Sequence, residues 1–159
     1  MDDTAKSNAQ TIHASAALVG ARAVLVRGPS GSGKSSFVLA LLQAAQSGAL
    51  PFVRLVADDR AIIDAVNGRL IVRPAETLKG LIEARGLGIL RLPCEPAAIV
   101  GSVVDLGVTD SERMPAPPQR ETAIAGVRLA RLAVAPGMDP LPLFRNFLDH
   151  AGLGAAKGL

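Results

Sequence analysis

The chain has 159 residues, 49% of them hydrophobic but only 3% aromatic, with a net charge of +3 and a single cysteine. That length and apolar content are enough for one globular domain with an aliphatic core, and they exclude a disordered chain. With no Trp or Tyr and no run of Lys or Arg, it lacks the stacking platforms and basic stripe of a nucleic-acid binder. Cys94 has no partner for an internal disulfide, so a reducing cytoplasm is expected. Flanked by Pro93 and Glu95, it reads as an incidental small residue. The start, Met1-Asp-Asp-Thr, has no signal-peptide character, and no segment approaches eighteen uninterrupted apolar residues, so no membrane association is expected.

Residues 1–10 read as a flexible tail, 11–151 as one P-loop domain and 152–159 as a C-terminal tail. Thr11–Val19 reads as a strand that turns through Gly20-Ala-Arg22 into a second apolar run, Ala23–Arg27. Then comes Gly28-Pro29-Ser30-Gly31-Ser32-Gly33-Lys34-Ser35-Ser36, the pattern G-x-x-x-x-G-K-[ST] between a strand and the helix expected to run to about Gln46. Gly31 and Gly33 let successive N–H groups turn toward phosphate oxygens, and the positive end of the helix adds to the same spot. In that context Lys34 reaches the outer phosphates and the Ser35 hydroxyl holds Mg²⁺. Binding of a nucleoside triphosphate is the expectation.

Phe52–Ala57 is the next buried strand, ending in Asp58-Asp59. An acidic residue at the carboxyl end of a strand beside the P-loop strand suits a metal-linked carboxylate, and two allow a second to face the nucleophile. A polar strand end with Asp59 capping a turn is the plainer alternative. Ala61–Val66 and Arg69–Arg73 flank Asn67-Gly68, the strongest two-residue hairpin signal, and Pro74 ends the pair. Thr77–Ile82 is a turn or short helix. Glu83-Ala-Arg85-Gly-Leu-Gly88 leads into an apolar strand, Ile89–Leu92, its glycines suggesting close backbone approach. Ala98–Leu106 is a strand and 108–120 a surface loop with Arg113, Arg120 and three prolines. Gly126–Val134 is the last strand, and Leu141 to about Ala151 an amphipathic helix with Asp139 as N-cap and Pro140 first. Only one long helix follows the P-loop before a run of hairpins, which argues against GTPases, ABC ATPases and nucleoside kinases.

Four segments together resemble the catalytic domain of HPr kinase/phosphorylase, the bacterial enzyme that phosphorylates a serine of HPr, the phosphocarrier of the phosphotransferase system. They are His13, the loop 28–36, Leu55-Val-Ala-Asp-Asp-Arg60 and Ile82-Glu-Ala-Arg-Gly-Leu-Gly-Ile89, the last close to that family's signature. The resemblance covers roughly 11–150. It implies an α/β fold, a P-loop domain like that of phosphoenolpyruvate carboxykinase, with a mixed β-sheet, hairpins, a P-loop helix and a C-terminal helix. By position it makes Asp59 the base, with Asp58, His13, Lys34 and Arg113 beside it in catalysis. It puts Gly28 to Ser36 and Arg85 on the nucleotide, and Ser35, Glu83 and Asp58 near Mg²⁺. His13 also has a plainer reading, a satisfied buried histidine. ATP and Mg²⁺, HPr or a related carrier as substrate, a cytoplasmic location and a homo-oligomer, a hexamer by likeness, are further implications. Three departures stand out: a short form without the family's N-terminal domain, Ser36 in place of Glu, and Ala135 and Met138 where the family's phosphorylase-linked segment has arginines. A kinase with weak or no phosphorylase activity is therefore expected; a nucleotide-sensing P-loop module without kinase activity is the alternative.

Overall fold

The protein was analysed as a computed structural model, which describes residues 8–150; both chain ends read as tails lie mostly outside these. In chain order the strands are β1 (Gln10–Ile12), β2 (Ala14–Val19) and β3 (Arg22–Arg27), then helix α1 (Lys34–Gln46). β4 (Val53–Ala57), β5 (Ala61–Val66), β6 (Arg69–Pro74), β7 (Leu81–Ala84), β8 (Gly88–Arg91), β9 (Ala98–Leu106), β10 (Glu121–Ile124) and β11 (Val127–Val134) follow, and helix α2 (Pro140–His150) closes the fold.

Nine strands form one mixed sheet in the order β1-β5-β6-β9-β3-β2-β4, with β11 also on β9 and β10 on β11. The nine-residue β9 is the hub. Its first residues pair antiparallel with β6, while its later ones run parallel to β3 on one side and β11 on the other. This split makes the sheet curl. Alternation along the strands then supplies two apolar faces. Val24 and Val26 of β3 face one core with Phe37, Leu41 and Phe144 of the helices, while Ala23 and Leu25 face another with Ile63, Leu70 and Val72 of the β5–β6 hairpin. Phe37 of α1 and Phe144 of α2 meet edge to face at 5.5 Å, a favoured aromatic geometry. The expected mixed sheet, hairpins and two helices are all present. Among the described residues no helix is long and apolar enough to cross a membrane.

Four differences from the sequence reading have local causes. The strand read over Thr11–Val19 is broken by a bend at His13: β1 pairs with β5, β2 with β3 and β4. Gln10, read as tail, is already in β1. β4 is not the direct neighbour of β3; β2 lies between them, antiparallel to both, so β4 still points the same way as β3. Glu121–Ile124, read as the end of a loop and its sequel, is strand β10, joined to β11 through Ala125 and Gly126, both at positive φ. Asn67 and Gly68 likewise have φ of 51° and 76°, the pair of left-handed residues that the tight hairpin between β5 and β6 requires.

A buried ion cluster ties the β3, β9 and β11 ends together. Arg27 donates from Nε to Asp105 Oδ1 at 2.7 Å and from Nη2 to Oδ2 at 2.9 Å, a bidentate pair. Arg131 donates from Nε to Asp105 Oδ2 at 2.6 Å, then reaches out to both carboxylate oxygens of Asp110 and to the Gln119 carbonyl. Arg131 thereby clips both ends of the 108–120 loop. Hydrogen bonds from Arg131, with its nearby charge, hold the Asp110 carboxyl below the usual carboxylate range. A carboxyl whose folded value is depressed stabilises the folded state above its ordinary value and loses that contribution as pH falls through the folded one. The loop is therefore expected to loosen in acid, and Asp110→Asn to loosen it at neutral pH. Trypsin cleavage after Arg113 should accelerate several-fold in that variant without a change in the fold's far-ultraviolet spectrum.

Candidate active site

The P-loop begins where β3 ends. Gly28 is required by close approach: a Cβ there would lie 2.5 Å from Ser32 Oγ and 2.9 Å from the Leu106 carbonyl. Gly28→Ala is expected to distort the loop, seen as a severalfold or greater loss of nucleotide affinity with the fold retained. Gly33, at φ 98°, caps α1, and its carbonyl accepts the first helical bond from the Phe37 N–H at 2.9 Å. A side chain at Gly31 or Gly33 would meet no atom within 4 Å, so the concave side of the loop is open. Lys34 is buried and its Nζ donates to the carbonyls of Gly28 and Pro29 at 2.9 and 3.1 Å. Ser32 Oγ is buried without a partner among the described residues, which is uncommon enough to ask for an explanation. An open cradle of left-handed glycines, a lysine folded over it and an orphan hydroxyl together fit a phosphate chain.

Facing the loop is the end of β4. Asp58 is buried, and three donors hold its carboxylate: Ser15 Oγ at 2.8 Å and Ser35 Oγ at 2.7 Å on Oδ1, and the Glu83 N–H at 3.1 Å on Oδ2. It thus fastens β2, α1, β4 and β7 at one point. The Ser35 hydroxyl, expected on the metal, is aimed at Asp58, which puts two of the expected Mg²⁺-linked groups in direct contact. Asp59 takes the opposite role. Its φ of 65° is left-handed, which Asp tolerates better than most residues. That turn, with its N–H bonded to Ser15 Oγ at 3.2 Å, carries the side chain into solvent, 64% exposed. There Asp59 Oδ1 pairs with His13 Nε2. His13 is 56% exposed, so the buried-histidine reading fails. The bend that interrupts the first strand is what brings this histidine to the site.

The signature segment forms the third wall. Its glycines shape a hairpin: Ala84 pairs with Gly88, and Arg85-Gly86-Leu87 forms the turn, with Gly86 and Gly88 at φ 87° and 106°. Glu83 and Arg85 then join Ser30, Lys34, Ser35, Ser36 and Asp59 around a cleft of about 290 Å³. The approach that the glycines suggested is this wall meeting the P-loop. Arg113 is exposed on the 108–120 loop and does not line this cleft; Pro29 contributes its carbonyl to Lys34. Ala135 and Met138 lie elsewhere, lining a second, apolar cleft that shares Gly31, Gly33 and Ser36 with the first. Cys94 only bridges to Leu55 in the sheet. Among the described residues there is no group of three or more His, Cys, Asp or Glu that could hold a metal by themselves. Mg²⁺ needs no such cage: one or two carboxylates plus substrate phosphates suffice, and Ser35, Asp58 and Glu83 supply the protein's share.

Ser15 was not singled out in the sequence. The signal was there in thin form, one hydroxyl in the small apolar run Ala14-Ser-Ala-Ala17. A fully buried hydroxyl needs a partner, and Asp58 is that partner.

A phosphate cradle between a curled mixed sheet and one helix, with paired carboxylates across from it, defines a P-loop domain of the phosphoenolpyruvate carboxykinase-like kind. The comparisons with known proteins carry this further. The sequence model of the HPr Serine kinase C-terminal domain matches residues 5–94, more than half of the chain and the whole of the cleft just described. The chain belongs to the HPr serine kinase C-terminal domain family. HPr kinase/phosphorylase of Clostridium tetani is 39% identical over 70 residues, 44% of this chain and 21% of that protein. Its counterpart in Streptococcus pneumoniae strain Hungary19A-6 is 47% identical over 68 residues, 42% of this chain and 20% of that protein. The matched region spans about a fifth of the length of these relatives. In fold the chain is similar to the Hpr(Ser) kinase/phosphatase from Coxiella burnetii, with a TM-score of 0.71 at 24% identity, covering 91% of this chain and 97% of that one. Arg113, Ala135 and Met138 fall outside the matched segment 5–94.

Proposed function

We propose that this domain is an ATP- and Mg²⁺-dependent protein-serine kinase acting on the phosphocarrier HPr, in the cytoplasm and as a homo-oligomer. One observation carries the reading. Asp58 is locked down by Ser15, Ser35 and the Glu83 N–H, while its neighbour Asp59 stands exposed at the mouth of the phosphate cleft with His13 on it. The two carboxylates therefore differ in what they can do. A carboxylate saturated with donors is a scaffold, and an exposed one beside the cleft is free to take a proton from an incoming hydroxyl. A module that only senses nucleotide has no use for the second.

In the transfer, the serine oxygen bonds to the γ-phosphorus as the bond to the β–γ bridging oxygen breaks. ADP departs, and the hydroxyl proton goes to Asp59. The P-loop amides and Lys34 hold the phosphates in line, and His13 orients Asp59. Arg85 faces the same cleft with a positive charge for the phosphates. Mg²⁺, when bound, supplies charge neutralisation between the phosphates. Transfer by this route is mostly positioning and electrostatics, which matches the site's content. Incubation with HPr, ATP and Mg²⁺ should add one phosphoryl group to HPr by intact mass, and omission of Mg²⁺ should prevent it.

The reverse reaction, attack of inorganic phosphate on phosphoserine to release pyrophosphate, needs cations to hold a second free phosphate. Ala135 and Met138 border the P-loop without offering any. We therefore expect little or no pyrophosphate from phosphoserine-HPr and inorganic phosphate, and rapid release would overturn that expectation.

A further inference from the structure

The two clefts that meet over the P-loop differ in character, and that difference points to how the rest of the nucleotide is held. The first carries Lys34, Asp59, Glu83 and Arg85. The second, of about 340 Å³, lies against the same Gly31, Gly33 and Ser36 but is walled by Phe37, Ala40, Leu106, Val134, Ala135 and Met138. Its volume is within the range of about 300–1,000 Å³ usual for small-ligand clefts. Its one charged lining residue, Asp139, already accepts the Leu141 N–H at 3.1 Å as the cap of α2. Its backbone is largely engaged as well. The Val134 and Ala135 carbonyls accept from Val108 and Met138, and Pro136 and Pro140 have no N–H to give.

Resting on the triphosphate reading above, we infer that this apolar slot takes the nucleobase, and that it does so by packing alone, with no polar reading of the base edge. A triphosphate whose terminal phosphates lie in the polar cleft has its other end at the junction formed by Gly31, Gly33 and Ser36, and the slot begins there. A planar purine gains from burial between Phe37, Ala40 and Ala135. Nothing in the walls distinguishes the amino group of adenine from the carbonyl of guanine. Sites built from matched hydrogen bonds reject the wrong group by factors of about 10⁴–10⁵, whereas apolar pockets manage about 10² at most. The domain should accept both purines.

The test is equilibrium binding of ATP, GTP and inorganic tripolyphosphate in the presence of Mg²⁺, by calorimetry, to the wild-type domain and to Ala135→Phe. The expected result is that ATP and GTP differ in Kd by less than about a hundredfold, with both tighter than tripolyphosphate by at least about tenfold. In Ala135→Phe, tripolyphosphate should bind as before while ATP falls toward it. An ATP preference over GTP above that hundredfold limit overturns the absence of polar reading. Tripolyphosphate binding as tightly as ATP in the wild type overturns the slot while leaving the phosphate cradle intact. Binding of neither ATP nor tripolyphosphate overturns the triphosphate reading itself.

Discussion

Asp59→Asn is expected to lower the rate of phosphoryl transfer to HPr by about 10²–10⁴-fold, the usual contribution of a general base, and to leave ATP affinity nearly unchanged. The substitution is almost isosteric, and Asn tolerates the left-handed φ of 65° as readily as Asp does. Neither the Asp59 N–H bond to Ser15 nor the packing of β4 depends on the carboxylate. What is lost is the proton acceptor and the charge that pairs with His13. Single-turnover transfer and nucleotide binding, measured on the same preparation, separate a kinase from a nucleotide sensor. Equal loss of both would mean that Asp59 holds the loop, and no loss of transfer would mean that another group takes the proton.

Asp105→Ala should be the most destabilising of these substitutions. Its carboxylate is buried and accepts from two guanidiniums. Without it Arg131 keeps Asp110, but Arg27 keeps only a long contact of 3.4 Å to Thr122 Oγ1. Removing one member of a buried ion pair costs about 3–5 kcal/mol because the other charge is left without its partner. Arg27 retains partial access to water, its side chain being 33% exposed, so a loss of about 3 kcal/mol is expected. In a domain of this size that lowers Tm by roughly 10 °C. Urea unfolding gives the free energy directly, and Asp105→Asn, which keeps an acceptor oxygen, should lose less. A loss below about 1 kcal/mol would show the cluster to behave as an exposed ion pair.

Asp105 also marks where reading the chain stops short of reading the fold. The rule that drew attention to Asp58, an acidic residue at the carboxyl end of a strand near the P-loop strand, applies more strictly to Asp105, because β9 and not β4 is the direct partner of β3. Nothing in the chain says which of two later strands lies beside an earlier one. That choice is made by long-range pairing across the curl of the sheet, not by residue type. The P-loop, the Asn67-Gly68 hairpin and the capped C-terminal helix were legible because each depends on φ preferences and spacing within a few residues. The role of Glu83 and Arg85 was not legible from composition: two charges beside two glycines describe many surface turns. The resemblance to the signature pointed to the site, and the structure adds the reason, a tight hairpin that carries both side chains to the P-loop. His13 needed the break between β1 and β2 that the apolar pattern concealed. β10 was hidden by the prolines and charges just ahead of it.

Arg113 illustrates the reverse limit. It was matched to a loop arginine of the family, yet it stands exposed on a loop anchored by Arg131 and Asp110, away from the cleft that holds the other candidates. Its contribution to catalysis rests on movement of that loop toward the P-loop, and the loosening expected in Asp110→Asn would alter it.

The most direct test of the account is to incubate the domain with HPr, Mg²⁺ and ATP labelled in the γ-phosphate, then locate the label by peptide mapping. The account predicts label on a serine of HPr, dependent on Mg²⁺ and missing with Asp59→Asn. Tight binding of ATP with HPr left unlabelled would contradict it.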